Sequence, residues 1–113
     1  MNAINAFRQA LQRDTHRFEQ TLAFIAEHYA YQPQAFDNGD VHNAAGQNEG
    51  SCKVLGLALL ENLSLEETLR AFGEHYRAVL ANPNGDDHAN IRALMREGLA
   101  GVRFTQLPLS TKA

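Results

Sequence analysis

Cys52 is the only cysteine of the chain. Ser51 and Lys53 flank it where a polar, glycine-punctuated segment, Gly46 to Lys53, runs into the apolar stretch Val54 to Leu60. In the first turn of a helix a thiol meets free backbone amides and the positive end of the helix dipole, which favour the thiolate. Lys53 adds positive charge. A cysteine nucleophile also needs a base, commonly histidine, and His42, His75 and His88 are available. The catalytic candidates are Cys52, His75 and His88, with Asn48, Glu49 and Ser51 as ligand-binding candidates. The competing and commoner outcome is a small apolar side chain packed at a helix start.

Spacing excludes two familiar ligand loops. A phosphate loop needs four residues between its glycines, followed by Lys and Ser or Thr. Here three residues separate Gly46 from Gly50, Ser51-Cys52-Lys53 follows, and Glu49 would repel phosphate. A calcium loop started at Asn38 finds Asp40 third and Glu49 twelfth, but Asn43 where the sixth position requires glycine. No two of the five histidines stand at i, i+4 spacing, so no helical metal motif exists. No metal site and no cofactor is expected.

Positioning these residues falls to a mostly helical frame. Ile4, Phe7 and Leu11 form one apolar stripe, and Phe18, Leu22, Ile25 and Tyr29 another, with a break at Asp14-Thr15, either of which would cap the second helix. Tyr31-Gln32-Pro33 ends it. Residues 33–50 read as an ordered loop containing the turn dipeptide Asn38-Gly39, with a short strand near 35–36 or 40–42. Ser51 would cap a central helix over 52–61, apolar on nearly all sides. Ser64 and Glu67 form a capping box ahead of one long helix carrying Leu65, Leu69, Phe72, Tyr76, Val79 and Leu80. Asn82-Pro83-Asn84-Gly85 stops that helix. A further helix, capped by Asp86 or Asp87, carries Ile91, Leu94 and Met95 and ends at Gly98. The expectation is a mainly α domain, α+β with minor β, over residues 1–107. About five helices surround 52–61, with short strands near 31–42 and 101–107 and a tail over 108–113.

Composition bounds the partners. The chain has 113 residues, a net charge of −3, two lysines and eight scattered arginines. A nucleic-acid footprint needs clustered basic residues, so no nucleic acid is expected. The longest apolar run is seven residues, against about twenty for a membrane span, and residues 1–8 lack the pattern of a signal peptide. The default location is the cytosol.

Five ordered blocks then resemble a known family. They are Phe36-Asp37-Asn38-Gly39, Asn43 to Lys53, Thr68 to Arg77, Asn82 to Arg92, and Gly98 to Phe104. In this order and at these distances the chain resembles the HopJ type III effector family from about Phe18 to Phe104. One departure is Leu99, where the family carries tryptophan. The resemblance implies delivery into a host cell by type III secretion and action by binding a host protein target. It carries over no catalytic residue and no cofactor. Residues 1–13 contain no serine and read as an amphipathic helix, unlike a polar, Ser-rich export signal. Three classes therefore stand side by side: an effector binding a host target, a small enzyme built on Cys52, and a non-catalytic interaction module in the cytosol of the producing bacterium. Oligomeric state is not legible.

Overall fold

Residues 3–112 are described by the structure, a computed structural model. Met1, Asn2 and Ala113, at the edges of the expected domain and tail, lie outside the described residues. In chain order the elements are α1 (Ala3–Ala10), α2 (Phe18–His28), β1 (Tyr29–Tyr31), β2 (Phe36–Asn38), β3 (Val41–Asn43), α3 (Glu49–Glu61), α4 (Leu65–Ala71), α5 (Glu74–Ala81), α6 (Ala89–Glu97), a 3-10 turn (Leu99–Gly101), β4 (Val102–Phe104) and β5 (Leu109–Thr111). The mainly helical α+β class is as expected. No helix among the described residues is long and apolar enough to cross a membrane.

α3 is the central helix. Cys52, Val54, Leu55, Leu57 and Ala58 are all buried to within 1% of full occlusion. Each of its larger apolar side chains contributes roughly 1.5–3 kcal/mol by leaving water. Its neighbours close the core from several sides: Phe7 and Leu11 near α1, Ile25 from α2, Leu69 and Phe72 from α4, Ile91 and Leu94 from α6. Arg8, from α1, donates through Nη2 to the carbonyls of Glu61 and Asn62 at the end of α3 (2.8 and 3.2 Å). A guanidinium there satisfies carbonyls that the helix leaves free.

Two small antiparallel sheets complete the fold. β2 lies between β3 and β4, with Asp37 opposite both His42 and Arg103. The β2–β3 hairpin turns at Gly39, whose positive φ of 61° suits a tight two-residue loop. β1 pairs with β5, Tyr29 opposite Thr111 and Tyr31 opposite Leu109. The segment expected as a tail is thus a strand, and both Pro108 and Leu109 are buried. Its pairing partner lies about eighty residues earlier, and a three-residue strand has too little periodicity to announce itself.

The expected long helix over 65–80 is two helices, α4 and α5, so five helices accompany α3 among the described residues. Gly73 breaks it, at φ 60° and ψ −128°. A β-carbon there would stand 2.4 Å from the backbone nitrogen of Phe18 and 2.8 Å from the carbonyl carbon of Arg17. The start of α2 passes directly over this glycine, and only the absence of a side chain allows it. The capping box holds as expected: Ser64 N–H donates to Glu67 Oε1 (2.8 Å) and Glu67 N–H to Ser64 Oγ (3.1 Å). Other caps moved. α2 starts after Arg17, whose N–H donates to Gln20 Oε1 (2.8 Å), not after Asp14 or Thr15. α3 starts after Asn48, in left-handed conformation, so Ser51 lies inside its first turn. α6 starts after His88, also left-handed, not after Asp86 or Asp87.

Candidate functional site

Three helices begin around one cleft of about 340 Å³. Asn48, Gly50 and Ser51 come from the start of α3, His75 from the first turn of α5, and His88, Ala89 and Asn90 from the start of α6; Phe18 and Phe72 supply aromatic walls. The rings form a chain. Phe18 stacks on Phe72 with centroids 6.1 Å apart. His75 meets Phe18 edge-on at 5.1 Å, and His88 lies 5.1 Å from His75 with the planes tilted by 42°. Two histidines thirteen residues apart are brought together because the 82–88 turn folds α6 back against α5. Both rings are half-buried. Neither ring makes a hydrogen bond within the described residues; Asp87 Oδ2 lies 3.9 Å from His88 Nε2. Glu74 is occupied elsewhere. It accepts from the Phe18 N–H (2.7 Å), and that bond, first among its causes, holds its carboxyl below the usual range.

The cleft does not include Cys52. With 3.6 residues per turn, residues 48 and 51 share one face of α3, and 49 and 52 share another roughly 100° away. The first pair opens on the histidines. The second faces β1: Cys52 Sγ lies 3.6 Å from the carbonyl oxygen of Gln34, and Glu49 Oε1 accepts from the Tyr31 hydroxyl (3.1 Å). Lys53 Nζ sits 4.7 Å over the Tyr31 ring. Burial pushes the Cys52 thiol up, outweighing the lowering bond to Gln34 and the charge of Lys53. The expected six residues therefore divide. Asn48, Ser51, His75 and His88 line one cleft, while Cys52 and Glu49 do not. His42 is elsewhere again, on the sheet surface 2.7 Å from Asp37.

Sequence reading missed what holds the cleft in place. Asn90 accepts from Asn38 Nδ2 through its backbone oxygen (2.8 Å) and its side chain (3.1 Å). It donates to Asn43 Oδ1 (3.0 Å), which also accepts from Asn48 Nδ2 (2.6 Å). Asn43 Nδ2 returns a bond to Asn90 Oδ1 (3.3 Å). Four asparagines thus tie the β2–β3 hairpin to the starts of α3 and α6. Asn38, Asn43 and Asn90 are buried, and Asn38 Oδ1 is left without a partner among the described residues. The signal was the density of Asn, Asp and Gly between residues 37 and 48; turn chemistry accounts for only part of it.

Chemically, the cleft offers imidazole nitrogens that donate or accept, the Ser51 hydroxyl, and aromatic faces. Among the described residues no group of three or more His, Cys, Asp or Glu would hold a metal ion. A family model described as HopJ type III effector protein matches residues 4–109. The chain is also similar to the crystal structure of VPA0580, a protein of unknown function. The two are 40% identical, with a TM-score of 0.91, over 99% of this chain and 95% of that one. No curated protein matches it.

Proposed function

The chain belongs to the HopJ type III effector protein family, and from that premise we propose that it works as an effector of this kind, delivered into a host cell and acting there by binding a protein target. The family match over nearly the whole chain supports the effector half of this reading. One geometric observation supports binding over thiol chemistry: the sole cysteine is buried on one face of α3, and the histidine pair opens on another. The cleft of Ser51, His75 and His88 is the contact surface, where a polar side chain of the target meets imidazole donors between aromatic walls.

The test fuses the full chain to a reporter enzyme that is active only inside host cells. Expressed in a bacterium with a type III apparatus, the fusion is expected to give host-cell signal that disappears when the apparatus is disabled. No signal, or signal independent of the apparatus, would assign the chain to the cytosol of its producer and remove the effector reading.

A further inference from the structure

Arg13, Arg70 and Arg77 line one pocket of about 140 Å³, together with Tyr76, Asp14 and Glu66. The pocket lies where the link between α1 and α2 crosses α4 and α5. Backbone bonds fix two of the guanidiniums. Arg77 Nη1 donates to the carbonyl of His16 (2.9 Å), and Arg70 Nη1 donates to that of Leu11 (3.3 Å). Arg70 also donates through Nε to Glu66 (2.8 Å). Since a guanidinium carries five N–H donors, both keep donors beyond these bonds. The Arg13 guanidinium makes no hydrogen bond within the described residues, and neither does the Tyr76 hydroxyl.

Charge and preorganisation point the same way. The chain is acidic overall, yet three of its eight arginines meet here. Of the two acids, Asp14 is 94% exposed and 3.6 Å from Arg70, a solvated pair that holds little energy. Arginines held in place by backbone carbonyls lose little freedom when an anion arrives, and their planar forks match phosphate geometry. We propose that this pocket binds a phosphate group, gripped by Arg13, Arg70 and Arg77 with the Tyr76 hydroxyl as a further donor. The site is separate from the histidine cleft and does not depend on its role. Arg70 and Arg77 also brace the α1–α2 link, but Arg13 has no such duty, and that separates a ligand site from a structural clamp.

The experiment is an amide NMR titration of the full chain with inorganic phosphate at constant ionic strength, with phosphoserine amide run in parallel. Saturable shifts centred on Arg13, Gly73, Tyr76 and Arg77 are expected, and the parallel arm shows whether free or side-chain-borne phosphate is preferred. Arg13→Gln should weaken binding by about tenfold or more, as loss of a charged hydrogen-bond donor implies, with an unchanged melting temperature. Shifts that never saturate, shifts confined to Ser51, His75 and His88, or undiminished affinity in Arg13→Gln would each overturn the proposal.

Discussion

At His16 a single proton can be followed through the fold. The Thr21 hydroxyl donates to the carbonyl of Ala71 (2.7 Å), so its oxygen can only accept from His16 Nε2, also 2.7 Å away. Nε2 of the imidazole therefore carries a proton. His16 is 5% exposed. Burial first, and the Arg77 guanidinium second, lower its pKa against a smaller raising effect from Glu74. The unfolded chain, with a histidine pKa near 6.5, then binds the proton more readily than the native one. The stabilisation is complete above about 6.5 and is lost as pH falls from there through the native value. Thermal melts should show a melting temperature that drops below about pH 6.5, and His16→Gln should flatten that drop while lowering stability at neutral pH. Parallel pH profiles for the two proteins would refute this account. Cys52 is governed by the same balance with the opposite outcome for reactivity, because desolvation keeps its thiol protonated at physiological pH.

At the scale of elements, buried side-chain bonds matter more than exposed caps. Asn90→Ala would remove the Oδ1 that accepts from Asn38 and Asn43 and the Nδ2 that donates to Asn43 Oδ1, at about 1–3 kcal/mol for the buried bonds lost. Ser64→Ala removes a solvent-exposed cap costing about 1 kcal/mol. Urea unfolding of the two variants should therefore rank Asn90→Ala as the more damaging. Equal losses would mean that water replaces the asparagine network freely. Which elements were legible follows from the same distinction. The Ser64 to Glu67 box, the end at Gly98 and the apolar α3 are encoded within a few residues, and the sequence displays them. Asn48 and His88 as helix starts are not displayed, since their left-handed backbones are fixed by neighbours from other parts of the chain. The break at Gly73 depends on Phe18, and the meeting of His75 with His88 depends on how the 82–88 turn aims α6. In the candidate site, the first turn of α3 was legible as a segment, but not its division into two faces, because the start of the helix was misplaced by three residues.

Across the whole molecule, Gly56 shows how tightly the late strand is seated. A β-carbon on it would lie 2.5 Å from Pro108 Cγ and 2.9 Å from Cδ. Alanine gains about 1 kcal/mol in helix propensity over glycine, while overpacking costs about 1–3 kcal/mol. Pro108 is a rigid and fully buried ring that cannot turn aside, so overpacking wins. Gly56→Ala should lower the unfolding free energy by roughly 1 kcal/mol, measured by chemical denaturation; a gain would mean that β5 yields easily. The register of that strand has a mechanical consequence. Tyr29 faces Thr111 at one end of the β1–β5 ladder, and Phe36 faces Phe104 at one end of β2–β4. Tension applied through both ends of the chain reaches each ladder at those two rungs. The strands then peel apart one rung at a time instead of shearing with all rungs loaded together. A machine that pulls proteins through a narrow channel would meet weak resistance from both sheets, however stable the helical core is at rest.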